Sequence, residues 1–328
     1  MSMGLAQVKD FYAKTLVELA DGNPDIFVVE ADLMKASGTA PFKAKYPDRH
    51  INVGIAEQNL VGVAAGIAAM GRIPYACTFA NFLSQRACDQ VTISAGYNRF
   101  NVKLVGCYAG LTQEKNGGTH ISVMDMAIMR CVPNLKVIAP GDCREFAQAV
   151  IALSKDRGPA YLRMPKLLKE NVLGSSHRFE IGKAYQFGEG RDVTVVSTGL
   201  TTAIALEALP RLEKEEIGGR VLHLPTLKPA DAEAVLACAR ETGAIITIED
   251  HSVFGGLGGL VCEIVSKGCP VPVSRLGFND QFGLTADLQF QLDYFGLTVE
   301  NLVKNAKSII QEKKSNYRRA ECCTPESN

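Results

Sequence analysis

The amino-acid sequence predicts an α/β protein built from two doubly wound, mostly parallel-sheet domains. Short apolar runs alternate with segments of helical spacing in both halves of the chain, which is the pattern of a parallel sheet covered by helices. A polar, irregular segment interrupts this alternation, and the pattern then starts again. The chain has 328 residues and 47% hydrophobic content, enough for two packed cores. We therefore expect a first domain at residues 1–170, a linker at 171–190, a second domain at 191–310 and a frayed polar tail at 311–328.

The first domain opens with an apolar stripe at helical spacing, which ends at the turn sequence of residues 21–24. Continuous β-branched and aromatic runs predict buried strands. We place these strands at residues 26–29, 51–53, 73–77, 102–105, 136–139 and 160–163. Helical spacing predicts the main intervening helices, which we place at residues 55–70, 125–131 and 142–153.

The second domain repeats the same alternation. Its predicted elements are strands at 193–197, 220–224 and 244–248, with a helix at 202–212 after the first strand. A further helix is expected to open near Pro229, because proline is favoured in the first turn of a helix. The glycine-rich run at 255–259 lacks the full spacing of a dinucleotide-binding loop, so we interpret it as a structural turn.

Composition excludes several classes of function. The 35 basic and 35 acidic residues cancel, which argues against nucleic acid as a partner. No apolar stretch is long enough to span a membrane, and the N-terminus lacks the apolar core of a signal peptide. The ten cysteines show neither CxxC pairs nor metal-ligand spacing, which indicates reduced thiols and a cytoplasmic location.

Residues 50–90 carry the candidate chemistry. A helix rich in glycine and alanine is predicted to start with the single carboxylate of Glu57, and Phe79 and Phe82 follow the next apolar run. On spacing alone, such a carboxylate is most often present because it interacts favourably with the positive end of the helix dipole. The two aromatic residues would, on the same grounds, be ordinary core residues.

The residue strings as a whole favour a different interpretation. Residues 54–59 (GIAEQN), followed by Thr78, Phe79 and Phe82, resemble the pyrimidine-binding domain of the transketolase family of thiamine diphosphate enzymes. Further matches to the family lie at residues 30–33 (EADL), 133–137 (PNLKV), 158–163 (GPAYLR), 249–251 (EDH) and 295–298 (FGLT). The resemblance covers roughly residues 8–310, and it implies a pyrimidine-binding domain at 1–170 and a transketolase C-terminal domain at 191–310.

The resemblance implies roles in cofactor binding for four residues. Glu57 resembles the glutamate that protonates N1′ of the aminopyrimidine ring of thiamine diphosphate, which makes it a predicted catalytic residue. Phe79 and Phe82 resemble the aromatic residues that stack on and flank that ring. Asp32 resembles the carboxylate near the edge of the thiazolium ring.

Three further residues are implied to contact substrate. His120 resembles the family histidine that contacts the substrate hydroxyl and carbonyl groups, and it is the second predicted catalytic residue. Arg163 resembles the arginine that binds the substrate phosphate, a role suited to a planar bidentate donor. Ser37 is a looser candidate for the same phosphate.

Four positions depart from the family pattern. Tyr108 stands where a histidine is usual, and Asn116 stands where an acid would contact a substrate hydroxyl. Gln85 replaces a third aromatic residue of the pyrimidine pocket, and Lys9 aligns with an N-terminal arginine. The cofactor chemistry is expected to be intact, whereas the usual sugar-phosphate specificity is in doubt.

One family motif is absent from the sequence. Members bind the cofactor's diphosphate through Mg²⁺ held by a Gly-Asp-Gly motif with a downstream asparagine, and this chain contains no Gly-Asp-Gly. The resemblance therefore implies a C-terminal subunit of a split transketolase, with thiamine diphosphate bound between it and a partner chain that holds the Mg²⁺ or another divalent ion. We expect a heterotetramer with two copies of each subunit.

The expected reaction is the transfer of a two-carbon ketol unit between sugar phosphates. Three alternatives stay open at this point: the β subunit of a 2-oxo acid dehydrogenase E1, a deoxyxylulose-phosphate synthase, and a non-catalytic partner subunit. The Gly-Gly-Thr-His turn at 117–120 and Arg163 favour transketolase over the first alternative. The presence of Glu57 argues against the last, because an unused buried acid is costly to keep charged.

Overall fold

The computed structural model of the protein describes residues 4–322, with side chains described up to residue 315. The strands, in chain order, are β1 (Leu5–Gln7), β2 (Ile26–Glu30), β3 (His50–Asn52), β4 (Ile73–Phe79), β5 (Lys103–Cys107), β6 (Lys136–Ile138), β7 (Ala160–Met164), β8 (Leu167–Lys169), β9 (Tyr185–Phe187), β10 (Val193–Ser197), β11 (Gly219–His223), β12 (Thr226–Lys228), β13 (Ile245–Ser252) and β14 (Val273–Phe278). The helices are α1 (Val8–Gly22), α2 (Met34–Ser37), α3 (Ala40–Lys45), α4 (Glu57–Ala69), α5 (Ala80–Gln85), α6 (Cys88–Gln90), α7 (Asp125–Cys131), α8 (Cys143–Lys155), α9 (Thr201–Lys214), α10 (Ala232–Thr242), α11 (Leu257–Gly268), α12 (Leu288–Tyr294) and α13 (Val299–Cys322).

Seven strands form the sheet of the first domain, in the order β12, β6, β7, β5, β4, β2, β3. Every neighbouring pair is parallel except β12 with β6. The six strands predicted for this domain are all present, with ends that differ by at most two residues. The predicted doubly wound α/β fold is thus confirmed, and the carboxyl ends of the parallel strands share one edge of the sheet.

The C-terminal domain has a five-stranded sheet, in the order β14, β13, β10, β11, β9. The first four strands are parallel, and β9 joins the edge in antiparallel orientation. Because Tyr185 pairs with His223 and Phe187 pairs with Val221, these residues belong to the sheet. The prediction that all of residues 171–190 form a linker is therefore wrong. A strand of three residues is too short to produce a recognisable period in the sequence.

The strand β12 connects the two domains. It follows β11 in the chain, yet it pairs with β6 of the first domain, where Thr226 lies opposite Ile138. The predicted helix start at Pro229 is wrong, because α10 begins at Ala232. The cap of α10 is Asp231, whose side chain accepts a hydrogen bond from a backbone amide in the first turn.

The last helix, α13, continues through residues that we expected to form a frayed tail. The prediction is wrong for residues 311–322, which are rich in the strong helix formers lysine, glutamate, arginine and alanine. Residues 323–328, the remainder of that predicted tail, lie outside the described part of the chain.

Two features considered in the sequence analysis, membrane-spanning segments and cysteines, can be compared with the described residues. Within residues 4–322, no helix has the combination of length and apolar content needed to cross a bilayer. The eight cysteines with described side chains are all free thiols.

A buried carboxylate also joins the domains. Glu145 of α8 accepts hydrogen bonds from the Nε2 atoms of His177 and His223, both at 2.8 Å, and from the backbone amide of Gly141 at 2.7 Å. Although burial raises the pKa of Glu145, the two histidines and this amide hold it at about 2. Since His223 ends β11, the contact fixes the C-terminal domain against α8.

The start of α8 carries a helix cap with an additional role. Asp142 accepts a hydrogen bond from the backbone amide of Glu145 at 2.7 Å, and its second oxygen accepts from Val172 and Leu173 at 2.9 and 3.1 Å. The side chain therefore holds both the start of α8 and the chain segment that leads to the C-terminal domain.

We predict that Asp142→Ala lowers the free energy of unfolding by about 2–4 kcal/mol, because three buried or half-buried amides lose their acceptor. The matched control is Asp287→Ala, which removes a cap with a single bond, to Phe290. That control should cost about 1 kcal/mol. Urea unfolding followed by far-ultraviolet circular dichroism measures both changes. Equal losses in the two variants would contradict the role assigned to Asp142.

Candidate active site

The candidate site lies along the edge of the first sheet where the parallel strands end. Asp32 follows β2, Glu57 follows β3, Phe79 ends β4, Tyr108 follows β5 and Lys166 follows β7. Side chains that follow neighbouring parallel strands converge at one edge, which is where open α/β sheets bind ligands.

Four predicted site residues form one aromatic cluster. The ring centroid of Phe79 lies 5.7 Å from that of Phe82, 5.6 Å from Tyr108 and 5.8 Å from His120. The His120 ring is 5.0 Å from Phe82, and its Nδ1 lies 2.9 Å from the hydroxyl of Thr119. The fold therefore brings residues from β4, from α5 and from the turn at 117–120 into contact.

The carboxylate of Glu57 is linked to this cluster through Arg86. Its side chain is only 8% exposed, and its Oε1 accepts a hydrogen bond from the guanidinium of Arg86 at 3.2 Å. The same guanidinium lies 3.8 Å from the centroid of the Phe82 ring, a favourable cation–π geometry. Sequence analysis missed Arg86. The spacing of four residues between Phe82 and Arg86 on a helical segment could have revealed it.

A cleft of about 580 Å³ opens next to these groups. Phe82, Gln85 and Arg86 line one part of it, and Thr119 lines another. The C-terminal domain contributes Phe282, which is 69% exposed. Gln85 thus lines the cleft, and its contact with the cofactor stays a prediction, whereas Phe282 was not foreseen because it lies in a loop with no periodic pattern.

Asp32 is exposed and is held by a side-chain contact with Asn52. The Asn52 amide donates to Asp32 Oδ1 at 3.2 Å, while its carbonyl oxygen accepts from the backbone amides of Asp32 and Gly54, both at 3.0 Å. Asn52 therefore ties the loop after β2 to the turn that leads into Glu57. The two carboxylates are presented by linked loops.

Ser37 does not reach the cleft. It is fully buried, and its hydroxyl donates to Glu30 Oε1 at 2.5 Å, next to the hydroxyl of Thr39 at 2.6 Å from the same oxygen. The predicted phosphate contact of Ser37 is therefore wrong, because its donor is used inside the protein. Lys9 donates to the carbonyl oxygen of Lys35 in this same region, and its substrate role stays a prediction.

Arg163 is likewise unable to bind a substrate phosphate in this structure. It is fully buried, with Nε 2.9 Å from Asp125 Oδ2 and Nη1 2.6 Å from Asp250 Oδ1. Its Nη2 donates to the backbone carbonyl of Asp250 at 3.0 Å. The prediction is wrong because the guanidinium forms internal ion pairs. Sequence position alone could not distinguish a buried arginine from an exposed one.

Unlike Arg163, Lys166 is partly exposed at this edge of the sheet. Its Nζ is 2.8 Å from Glu114 Oε2, and its side chain is 34% exposed. Burial raises the pKa of Tyr108, and the nearby charge of Lys166 opposes that rise. Asn116 is exposed on the same loop, which we call the 108–120 loop. Sequence analysis missed Lys166 because Arg163, three residues earlier, matches the family position for a phosphate ligand.

The glycine-rich run of the C-terminal domain is a structural turn, as predicted. At the start of α11, the backbone amides of Leu257 and Gly258 donate to the carboxylate of Glu249, each at 2.7 Å. This helix terminus therefore binds the protein's own carboxylate. In the described part of the chain, no group of three or more histidine, cysteine, aspartate or glutamate side chains is placed to hold a metal ion.

Comparison with known families assigns both domains. The transketolase pyrimidine binding domain matches residues 6–170, and the transketolase C-terminal domain matches residues 182–302. The chain belongs to the transketolase family. Transketolases depend on thiamine diphosphate, so the cleft beside Glu57 can be tested for its fit to that cofactor.

Transketolase subunits of similar length are the relevant relatives. A 6-deoxy-6-sulfo-D-fructose transketolase subunit from Clostridium sp. (strain MSTE9) is 42% identical over 306 residues, covering 93% of this chain and 95% of the relative. An apulose-4-phosphate transketolase subunit from Phocaeicola vulgatus is 33% identical over 313 residues, covering 95% of this chain and all of the relative (100%). A solved structure described as a split gene transketolase, inactive beta4 tetramer, shares 41% identity and a TM-score of 0.87, covering 94% of this chain and 99% of that one.

The residues of this transketolase chain fit the aminopyrimidine part of the cofactor. Glu57 offers a nearly buried carboxylate, Phe82 offers a ring, and the adjoining cleft has room for a heterocycle. A diphosphate with its divalent ion needs several oxygen ligands, and the described side chains provide no such group. The fit is therefore to one half of the cofactor.

We predict a pH-dependent stability for this transketolase chain that comes from Glu30. Burial raises the pKa of Glu30 to about 7, although the hydroxyls of Ser37 and Thr39 oppose the rise. The pKa of Glu30 in the folded chain lies above its value of about 4.3 in the unfolded chain. The stabilisation from the protonated side chain is therefore fully present below a pH of about 4.3 and is lost as the pH rises through about 7. Relative to Glu30→Gln, which keeps the oxygen that accepts both hydroxyls, the wild type should lose about 3 kcal/mol between pH 5 and pH 8.

Urea unfolding of both proteins at pH 5 and pH 8 measures this difference. Glu170→Gln is the matched control, because Glu170 is a 57% exposed carboxylate and should show no comparable change. If the wild type and Glu30→Gln differ by the same amount at both pH values, the buried carboxylate does not titrate in this range.

Proposed function

We propose that this chain is the subunit of a split transketolase that supplies the aminopyrimidine half of the active site. The observation that carries the proposal is the position of Glu57, which is nearly buried and bonded to Arg86, a cleft-lining residue that also lies over the Phe82 ring. A partner subunit would hold the diphosphate and its divalent ion. The reaction would be transfer of a two-carbon ketol unit between sugar phosphates.

The residues of this chain would act on the cofactor in two ways. Glu57 would share a proton with N1′ of the aminopyrimidine, while Phe79 and Phe82 would hold the ring between apolar surfaces. The bound cofactor supplies an electron sink for the two-carbon unit. Arg86 contacts both Glu57 and Phe82, so it would keep the carboxylate pointed toward the ring.

The partner proposal is supported by the length and the names of the relatives. Two relatives that match almost end to end are called subunits, and the solved structure described as a beta4 tetramer is also described as inactive. We infer that this chain likewise acts with an N-terminal-type subunit, in a heterotetramer with two copies of each. The same relatives favour transketolase over a 2-oxo acid dehydrogenase subunit or a non-catalytic partner.

The substrate proposal rests on the 108–120 loop. Tyr108 and Asn116 replace the imidazole and the carboxylate usual in the family, and Asn116 can both donate and accept hydrogen bonds. Lys166 offers a half-exposed cation near Tyr108. We propose a ketose donor other than xylulose 5-phosphate, with a modified or branched carbon chain and an anionic end that Lys166 would bind. Two relatives are named for sugars of this kind.

We predict that Glu57→Gln lowers the turnover of the reconstituted complex by about 100-fold or more, the scale expected for a general acid–base group. The amide keeps the shape of the side chain but cannot supply the proton. Exchange of the cofactor's C2 hydrogen should slow in parallel, while Glu18→Gln, a 62% exposed carboxylate on α1, should change neither. The chain without its partner should be inactive with thiamine diphosphate and Mg²⁺.

Two results would contradict these expectations. Wild-type exchange rates in Glu57→Gln would reduce Glu57 to a residue that only stabilises the start of α4. Steady turnover by the purified single chain would exclude a shared active site.

We predict that Lys166→Met raises the KM for anionic donors about tenfold or more, because a charge-assisted contact is lost. The control is Lys169→Met, which removes a nearby lysine that pairs with Glu207. Tyr108→His/Asn116→Asp should shift preference toward xylulose 5-phosphate. A donor panel assayed on the complex measures both effects. Ordinary efficiency of the wild type with xylulose 5-phosphate, with no gain in the double variant, would contradict the proposed specificity.

A further inference from the structure

The C-terminal domain contacts the 108–120 loop from behind, although its helices and strands lie outside the cofactor site. We propose that Asp250 of β13 is a positioning residue for this loop, so that the C-terminal domain controls how the donor substrate is bound. The inference rests on the proposed function, because the loop carries the residues assigned to the donor. It assigns a part in the reaction to a domain that supplies none of Glu57, Phe79 or Phe82.

The 108–120 loop needs support from its surroundings. Tyr108, Gly110 and Glu114 all have left-handed backbone conformations, with φ of 54°, 64° and 53°. Such conformations cost about 1–3 kcal/mol each at residues other than glycine, and they persist only when neighbouring structure fixes them. The first domain supplies part of this support: the amide of Ala109 donates to the carbonyl of Met164 at 3.1 Å, the amide of Lys166 donates to the hydroxyl of Thr112 at 2.8 Å, and the side chain of Asn81 donates to the carbonyl of Thr119 at 2.8 Å.

Asp250 provides a rigid surface directly behind the loop. A Cβ atom added to Gly110 would lie 1.9 Å from Asp250 Oδ2, so the loop backbone is packed against the carboxylate. Burial raises the pKa of Asp250, whereas Arg163 and the backbone amide of Leu111 both oppose that rise. Gly110 and Leu111 therefore both face this side chain.

The position of Asp250 is itself fixed by buried partners. Arg163 bonds its Oδ1 at 2.6 Å and its backbone carbonyl at 3.0 Å. Arg163 is held on its other side by Asp125, which also accepts a hydrogen bond from Tyr161 at 2.7 Å. All four side chains are fully buried. The carboxylate cannot move away from Gly110 without disturbing this network.

A second contact reinforces the first at the far end of the loop. An added Cβ at Gly117 would lie 2.4 Å from Thr285 Oγ1, and one at Gly118 would lie 3.2 Å from Cβ of Phe282. Both partners belong to the C-terminal domain. The loop is therefore fixed at Gly110 and at Gly117, with Asn116 between these two points.

This geometry links the loop more closely to donor binding than to cofactor binding. Tyr108 lies two residues from Gly110, so a displacement of the loop would move its ring relative to Phe79, which is now 5.6 Å away. Glu57 and Arg86 lie on other elements and do not depend on the 108–120 loop for their contact. A loop variant should therefore change the KM for the donor more than the affinity for thiamine diphosphate, since the loop reaches the cofactor pocket only through the contacts of Tyr108 and His120 with Phe79 and Phe82.

The test uses the complex of this chain with its diphosphate-domain subunit. Gly110→Ala should raise the donor KM tenfold or more, while calorimetric titration should give a dissociation constant for thiamine diphosphate within about twofold of wild type. Gly243→Ala is the matched control, because Gly243 has a φ of 62° in the C-terminal domain and an added Cβ would meet only the flexible side chain of Lys313. That variant should lose stability without a change in KM.

A second substitution separates positioning from a general loss of structure. Asp250→Ser in the Gly110→Ala background should recover part of the lost donor affinity, because the smaller side chain makes room for the added methyl group. If Gly110→Ala cannot be obtained folded, Asp250→Ser alone should raise the donor KM about fivefold or more at unchanged cofactor affinity.

The outcomes distinguish this inference from the proposed function. Equal losses of donor and cofactor affinity in Gly110→Ala, or no recovery in the double variant, would overturn the role of Asp250 while leaving the enzyme a transketolase. A wild-type complex without any ketol transfer would instead overturn the proposed function.

Discussion

A buried arginine between two aspartates of different domains is the contact on which most of this structure depends. Arg163 lies in β7 of the first domain, Asp125 begins α7, and Asp250 lies in β13 of the C-terminal domain. Burying three charges is costly, and here one oxygen of each aspartate, Asp125 Oδ1 and Asp250 Oδ2, has no hydrogen-bond partner among the described residues. Although burial raises the pKa of Asp125, Arg163 and His251 hold it below its ordinary value. The network therefore fixes the two domains in one arrangement more than it adds stability.

The same network explains why an arginine near the active-site edge is not a substrate ligand. Each terminal nitrogen of Arg163 is used inside the protein, whereas Lys166, which pairs with Glu114, is 34% exposed at that edge. Only three residues separate Arg163, whose contacts are all inside the protein, from Lys166, whose side chain is partly exposed to solvent. Near the end of a strand, the burial of a side chain changes within one or two residues. If a substrate contact is assigned to a residue only a few positions away from the exposed one, the assigned residue can prove to be buried.

Sequence reasoning was most reliable where the chain forms regular elements. The strands of the first sheet are continuous apolar runs, so the fold class and the strand positions could be predicted. A recognisable string pointed to Glu57, Phe79 and Phe82, which lie at or shortly after strand ends, and their roles in the site stay predictions.

The misses share a physical cause, which is that they depend on contacts distant in the sequence. Ser37 is buried because Glu30 accepts its hydroxyl, and β9 exists because β11 offers an open edge. Phe282 reaches the cleft only because the C-terminal domain packs against the glycines of the 108–120 loop. Spacing along one chain carries no information about such partners.

The position of β12 has a consequence for how this chain can be divided. Because a strand from the second half completes the edge of the first sheet, residues 1–170 expressed alone would leave one side of β6 without a partner strand, while β7 still pairs with its other side. An uncovered strand edge invites pairing with another molecule. Recombination or truncation of related chains should therefore keep both domains together, although the sequence matches two separate family domains.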